Sequence, residues 1–174
     1  MSSILKVDTI QTTAGAAPTT KDLGFAAGSV VQMQIARYSG NSPVINNASY
    51  TSLGRSVTIT PKYADSIILV RYSASLYAQS GVQLYFTFYR NSTNLYNQSG
   101  YSTNSATAAQ GLTQAMSGDD TSFFPCTLEY ADTPNSTSAL TYTLYGKRAS
   151  GSLDGYWPPG SIDTATFTAM EIAQ

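Results

Sequence analysis

Among the residues that most often act in acid-base catalysis or bind metals, this 174-residue chain has eight Asp, two Glu, one Cys and no His. Without His there is no Ser-His or Cys-His dyad and no ordinary catalytic zinc site. A glycosidase would need two carboxylates across a groove. We expect Glu129 and Glu171 to point outward from strands, and Asp119 and Asp120 to be solvated in a loop, with calcium binding as the less favoured alternative. The sequence thus predicts that the protein is not an enzyme and holds no metal or cofactor.

Cys126 is the only thiol, so the chain cannot form an internal disulfide. It follows Pro125, between aromatic and aliphatic residues of a predicted strand. No basic residue lies next to it in sequence to lower the pKa of the thiol. We therefore expect Cys126 to be structural and unreactive.

Tyrosine occurs 13 times and is the residue type that most favours a binding surface. Tyr85 and Tyr89 lie opposite the predicted core side of one strand, and Tyr145 does the same on another. Amphipathic aromatics are favoured in subunit interfaces and on sugar-binding surfaces, because they combine apolar area with a hydrogen bond. These three residues are the candidates for a trimer interface, with ordinary sandwich packing as the alternative.

A second group of aromatic residues lies in or beside predicted loops. These residues are the candidates for a ligand surface: Tyr96, Tyr101, Tyr156 and Trp157. The last two precede a Pro-Pro-Gly sequence, where a structural plug at the end of a sheet fits as well as a ligand platform.

The composition indicates a β-rich, uncharged protein coated with hydroxyl groups. Only 11% of residues are charged, 42% are hydrophobic, and Thr and Ser number 22 and 23. Nine basic residues spread along the chain predict no cationic stripe for nucleic acid. No apolar run approaches the roughly 18 residues that span a bilayer, and the start MSSILKVDTIQ has no apolar segment typical of a signal peptide. We expect a protein made and kept in a cytoplasm.

Alternation of apolar and polar residues predicts about eight strands and no helix. The clearest strand covers residues 82–90, where Leu84, Phe86 and Phe88 share one side. A similar alternation at residues 31–35 predicts a half-buried strand with Met33 and Ile35 on its apolar side. Turn signals separate the strands throughout. The pattern predicts an all-β antiparallel sandwich, with the jelly roll as the first choice of topology.

Residues 1–27 are predicted to form an extended arm that precedes a β-sandwich domain of residues 28–174. Ordering each backbone residue costs about 1–2 kcal/mol, and burying one Leu-sized side chain gains roughly 1.5–3 kcal/mol. With so few large apolar residues the arm should not fold alone, so we expect it to order against a partner, a flexible leader being the alternative. Its anchor residues are Ile4, Leu5, Val7, Ile10, Leu23 and Phe25.

Two parts of the sequence resemble known virion proteins. Residues 3–11 (SILKVDTIQ), with Pro18-Thr19, Asp22-Leu23-Gly24 and residues 28–32 (GSVVQ), resemble the amino-terminal signature of tail-fibre-like virion proteins of phages, cyanophages especially. Residues 130–144 (YADTPNSTSALTYTL) and 167–172 (FTAMEI) are similar to the carboxy-terminal β-domain of such proteins. That domain resembles the trimeric jelly rolls of the complement and tumour-necrosis-factor type.

The resemblance implies a homotrimer. Its arms dock on other virion proteins and its distal heads contact the host surface, where glycans are the candidate ligands. Long tail fibres carry a shaft between these parts, and this chain has none, which favours a short fibre, a spike or a capsid decoration protein. The leading hypothesis is a non-enzymatic structural and attachment protein of a bacteriophage virion, assembled in the host bacterial cytoplasm, without nucleic-acid binding or membrane insertion. A stand-alone carbohydrate-binding module or lectin is the alternative. A hydrolase of host polysaccharide is a third hypothesis, disfavoured by the few carboxylates.

Overall fold

The computed structural model describes residues 24–96, 112–116, 122–150, 155–157 and 164–174. These residues form ten strands and no α-helix, and none of their segments is a helix long and apolar enough to cross a membrane. The strands are β1 (Val30–Ser39), β2 (Thr51–Ile59), β3 (Ile67–Ala78), β4 (Gln83–Arg90), β5 (Thr93–Asn94), β6 (Thr113–Met116), β7 (Ser122–Asp132), β8 (Leu140–Ser150), β9 (Gly155–Tyr156) and β10 (Thr164–Ile172).

The strands form two antiparallel sheets packed as a sandwich. Sheet A has the order β1-β10-β3-β7, with β9 also paired to β3. Sheet B has the order β2-β8-β4, and the short strands β5 and β6 both pair with the remaining edge of β4. When the two-residue strands β5 and β9 are left out, each sheet has four strands, in the orders β1-β10-β3-β7 and β2-β8-β4-β6. This is the strand order of a jelly roll. The predicted fold class is therefore confirmed.

The core lies between the sheets and is built from the inward side of each alternating strand. Leu84, Phe86 and Phe88 of β4 are fully buried, as their spacing predicts. The ring of Phe88 stacks on Phe167 of β10 in the opposite sheet, with centroids 5.3 Å apart. Tyr72 of β3 also contacts Phe167 edge-on, at 5.4 Å between centroids. Burial of these aromatic rings contributes to the apolar packing that holds the sheets together.

Strand β1 presents the opposite side to the core from the one expected. Met33 and Ile35 are 49% and 48% exposed, so the prediction that they face the core is wrong. Ala36 and Tyr38 on the other side of the strand pack against the core instead. The pairing of β1 with β10 is irregular between Val30 and Gln32. A one-residue change of register moves every side chain of a strand to the other face.

The β4–β5 hairpin turns earlier than the sequence pattern indicates. The pattern predicts a return strand that starts at Leu95, but Thr93 already pairs with Arg90. Asn91 has a φ of 52°, a left-handed conformation that asparagine tolerates well. Its side-chain oxygen also accepts a hydrogen bond from the backbone N–H of Thr141, 3.0 Å away, which ties the turn to β8.

The described chain begins at Gly24, close to the predicted boundary between arm and domain. The ring of Phe25 contacts Tyr63, with centroids 6.1 Å apart. The N–H of Gly28 donates to the carbonyl of Ala173, and the N–H of Ala173 donates to the carbonyl of Ser29, each at 2.9 Å. Residues 28 and 29 therefore lie beside the carboxyl end of β10. The other predicted anchors lie outside the described residues: Ile4, Leu5, Val7, Ile10 and Leu23.

Candidate binding surfaces

The outer face of sheet B carries a group of four tyrosines, here named the tyrosine face: Tyr50, Tyr85, Tyr89 and Tyr145. The rings of Tyr89 and Tyr145 stack with centroids 3.9 Å apart and planes inclined by 27°. Tyr50 meets Tyr89 edge-on at 6.4 Å. The structure therefore brings together the three predicted interface tyrosines, on the side of their strands away from the core. Their contact with a sister subunit stays a prediction.

Lys147 of β8 joins the tyrosine face through its ammonium group. Its Nζ lies 5.0 Å from the ring centre of Tyr50 and 5.5 Å from that of Tyr85, distances typical of cation–π contacts. Burial lowers the pKa of Lys147. Burial also raises the pKa of Tyr50 and of Tyr89, and the neighbouring phenols add to both shifts. Both hydroxyls are thus neutral donors and acceptors near pH 7, suited to hydrogen bonding with an uncharged ligand.

Trp157 is a structural plug and takes no part in a ligand surface. It is fully buried, with its ring centre 5.0 Å from that of Tyr72 and 4.5 Å from that of Phe86. The indole N–H donates to the carbonyl of Ala74 at 3.2 Å, and the backbone N–H donates to Oγ of Ser42 at 2.8 Å. The assignment of Trp157 to a ligand surface is wrong, because its side chain is fully buried in the core.

The remaining ligand-surface candidates lie in different places. Tyr156 is half-buried in β9, and its ring centre lies 6.0 Å from that of Tyr77. Tyr77 also contacts Phe123, which is 67% exposed, at 4.9 Å. Tyr96 follows β5 in sheet B, and its phenol adds to the raised pKa of Tyr50. Tyr101 lies outside the described residues.

Glu171 is buried in a cage of hydrogen-bond donors, so the expectation that it points outward is wrong. Its exposure is 0%. Its Oε1 accepts from the backbone N–H groups of Lys62 and Tyr63, at 2.9 and 3.1 Å, and from Oγ of Ser66 at 2.9 Å. Its Oε2 accepts from the side-chain amide of Gln32 at 2.7 Å. The carboxylate thereby ties the loop after β2 to both β10 and β1.

The other carboxylates of the described residues offer no paired catalytic arrangement. Asp132 accepts hydrogen bonds from Arg90 and Tyr142 inside the sandwich. Glu129 is exposed on sheet A, as predicted. Asp119 and Asp120 lie outside the described residues. Within the described part of the chain, no three His, Cys, Asp or Glu side chains come together as metal ligands.

Cys126 lies on β7 and packs partly against the core. Burial raises the pKa of its thiol to about 11. The thiol is therefore protonated at neutral pH, which lowers its nucleophilicity. This environment supports the predicted lack of reactivity.

The outer face of sheet A carries apolar side chains that sequence reasoning did not single out as a site. Met33, Met170 and Leu69 are cross-strand neighbours on β1, β10 and β3, and Ile35 follows Met33 on the same side. We name these four residues the apolar face. In the sequence, Leu69 and Met170 lie next to core residues, so apolar residues occur on both sides of their strands. This pattern is the signal from which the apolar face could have been predicted. The face contains a depression of about 250 Å³ lined by Met33, Leu69, Arg71, Glu129, Thr168 and Met170.

The sequence matches no protein-family model and no curated protein. Among solved structures, the chain is similar to a chain in the structure of the Gx strain of infectious bursal disease virus, with 11% identity and a TM-score of 0.38. The similarity covers 84% of this chain but only 38% of that chain, so this protein spans well under half of its length. This TM-score is too low to establish a shared fold or function.

Proposed function

We propose that the protein is a structural component of a bacteriophage virion, a short homotrimeric fibre, spike or capsid decoration protein. It docks by residues 1–27 and displays the jelly roll for attachment to the host surface. The observation that carries the proposal is the apolar face. Met33 and Ile35 stand about half exposed beside Leu69 and Met170, a surface that an isolated domain would leave in water. Such surfaces are typical of subunits that are covered in an assembly.

The way the arm joins the domain supports this division of labour. Gly28 and Ser29 are bonded to Ala173 at the end of β10, so the arm begins from a fixed point on the sandwich. Because the arm starts from a fixed point, it can bind another virion protein while the rest of the domain stays exposed for attachment to the host. Three arms in a trimer would bind jointly, because the first contact raises the effective concentration of the others.

The use of the carboxylates supports a non-enzymatic role. Glu171 and Asp132 are nearly or fully buried and saturated with hydrogen bonds from the protein itself. A general acid or base must reach a substrate proton. These two carboxylates stabilise the fold.

Particle incorporation tests the proposal. Immunogold electron microscopy of purified particles should locate the full-length protein on the virion. The variant Ile4→Asp/Ile10→Asp should keep the wild-type melting temperature and be absent from particles, because charges at two anchors oppose burial of the arm. The conservative variant Ile4→Val/Ile10→Val should still be incorporated. Particles that lack the wild-type protein, or that retain the Asp variant, would contradict the proposal.

The alternative, a stand-alone carbohydrate-binding module, is favoured by the tyrosine face. Stacked phenols beside Lys147 combine apolar area with hydroxyl donors, which suits sugar rings. Binding to a polysaccharide panel separates the two functions. A free module would bind glycan equally well with the Ile4→Asp/Ile10→Asp change and would be absent from particles, and Tyr89→Ala would abolish its binding.

A further inference from the structure

We propose that the apolar face of sheet A is the surface that binds a second copy of this chain, with Arg71 of one copy facing Glu129 of the other. The inference rests on the self-association in the proposed function and assigns it to sheet A, although the sequence pointed to Tyr85, Tyr89 and Tyr145 on sheet B. The apolar residues, the two charges and the edge of the sheet each contribute to it.

The apolar residues supply the first argument. Val30, Met33 and Ile35 are three of the large apolar side chains most exposed among the described residues, and all belong to β1. Met33 also lines the depression on the sheet, with Leu69 and Met170 beside it. Exposed apolar side chains around a depression match the anchors and pockets at the centre of protein interfaces. Methionine adapts its shape to the opposing surface, which suits such a contact.

The charges supply the second argument and identify the occupant. Arg71 and Glu129 are exposed cross-strand partners on β3 and β7, at the border of the same depression. Neither side chain has a hydrogen bond or ion pair within the described residues. A surface that carries one positive and one negative group is complementary to itself. Around a threefold axis, Arg71 of each copy can therefore face Glu129 of the next copy, while its own Glu129 faces Arg71 of the third.

The edge of the sheet supplies the third argument. Among the described strands of sheet A, β1 pairs only with β10, so no described strand lies along its other edge. The strand contains no Lys or Pro, two residues that commonly protect such edges. The apolar face is thus continuous with an edge that another copy can approach.

Removal of apolar side chains tests the surface in the full-length protein. Met33→Ser/Ile35→Ser should weaken self-association at least tenfold in sedimentation equilibrium, since buried apolar area is lost from the interface. Two matched variants control for lost apolar area elsewhere. Phe123→Ser lies at the far end of the same sheet, and Tyr89→Ser/Tyr145→Ser lies on the tyrosine face. Both should associate as the wild type does.

Charge reversal tests the pairing between copies. Arg71→Glu alone and Glu129→Arg alone should each associate several-fold more weakly than the wild type, because like charges then face each other. A mixture of the two variants should form mixed oligomers in native mass spectrometry at low salt. In each variant, residues 71 and 129 carry the same charge and cannot pair within one chain, so mixed oligomers require pairing between copies. High salt should reduce the difference.

The outcomes separate the alternatives. Loss of association only with the tyrosine-face variant would overturn this proposal and leave a self-associating virion protein intact. A monomeric wild type at micromolar concentration would overturn both this proposal and the trimer. The protein could instead be a monomer in which residues 1–23 become more sensitive to protease when Met33→Ser/Ile35→Ser is introduced. That result would show that the chain's own arm covers the apolar face, and it would contradict binding of a second copy. Equal association of all variants would likewise overturn it.

Discussion

Arg90 of β4 and Asp132 of β7 join the two sheets through an ion pair, with Nη1 of the guanidinium 2.8 Å from each carboxylate oxygen. The hydroxyl of Tyr142 on β8 donates to the same carboxylate at 2.7 Å. Asp132 is 6% exposed, so its charge is matched inside the sandwich by one cation and one phenol. The group connects three strands from both sheets.

Asp132→Ala should destabilise the protein by about 3 kcal/mol, because it leaves the partly buried guanidinium of Arg90 without its counterion. Urea unfolding followed by fluorescence measures the change. Asp65→Ala removes an exposed carboxylate from a loop and is the matched control, with a change within about 0.5 kcal/mol. Equal effects of the two substitutions would show that the ion pair adds nothing to stability.

Glu171→Gln should also be strongly destabilising, although it changes the shape of the side chain very little. One carboxylate oxygen becomes an NH₂ group and then faces N–H or O–H donors of Gln32, Lys62, Tyr63 or Ser66. Leaving a buried donor unsatisfied costs about 1–3 kcal/mol, and more at charged groups. Urea unfolding should therefore show a loss of at least 2 kcal/mol. Asp65→Asn, at an exposed loop position, should change stability little, and unchanged stability of Glu171→Gln would contradict the cage.

The sequence predicted strands β4 and β8 of sheet B well, because their alternation is strict. In β4 the core side holds only apolar residues, Leu84, Phe86 and Phe88, so period two identifies both the strand and the side that packs in the core. Tyr85 and Thr87 on the other side are buried as well, which the alternation does not predict. The tyrosines then fall on the other side by the same rule. Their stacking depends on the pairing of β4 with β8, which local sequence does not encode.

Sheet A was harder to predict for a physical reason. In β1 the more apolar side, with Met33 and Ile35, faces outward, while Gln32 turns inward to a carboxylate 139 positions away in sequence. Periodicity reports which side of a strand is apolar, and an apolar outer face gives the same signal as a core. Glu171 was misplaced for a different reason. The donors that stabilise its buried carboxylate come from distant segments, which local sequence does not show.

Trp157→Ala should cost about 3–5 kcal/mol of stability, the range for loss of a large core aromatic. The indole fills the space beside Tyr72 and Phe86, and its N–H bond to Ala74 is lost as well. Calorimetry should show a lower Tm. The wild-type protein should have blue-shifted fluorescence that moves to the red on unfolding, since this is the chain's only tryptophan. Red-shifted fluorescence of the native protein would contradict the buried position.

Cys126 should react slowly with thiol reagents in the native protein. With a pKa of about 11, roughly one thiol in a thousand is ionised at pH 8. The rate of labelling should rise about tenfold for each unit of pH until the pH nears 11, because the thiolate is the nucleophile. The urea-unfolded protein is the control and should react much faster at pH 8. Rapid labelling of the native protein at pH 7 would contradict the prediction.

Alkaline pH should destabilise the protein through its buried phenols. Burial, followed by the hydrogen bond to Asp132, raises the pKa of Tyr142 above its ordinary value. Burial likewise raises the pKa of Tyr72. The native state then holds these protons more tightly than the unfolded chain, whose tyrosines titrate near pH 10. The stabilisation is complete below about pH 10 and is lost as the pH rises above it.

Tyr142→Phe isolates the contribution of one phenol to this alkaline loss. At pH 7 the variant should be about 1 kcal/mol less stable, because the bond to Asp132 is gone while Arg90 still pairs with the carboxylate. Above pH 10 its free energy of unfolding should fall less steeply, by up to one proton or about 1.4 kcal/mol per pH unit. Urea unfolding at several pH values from 7 to about 11 measures both slopes. Parallel slopes for wild type and variant would show that Tyr142 ionises as readily in the native state as in the unfolded chain.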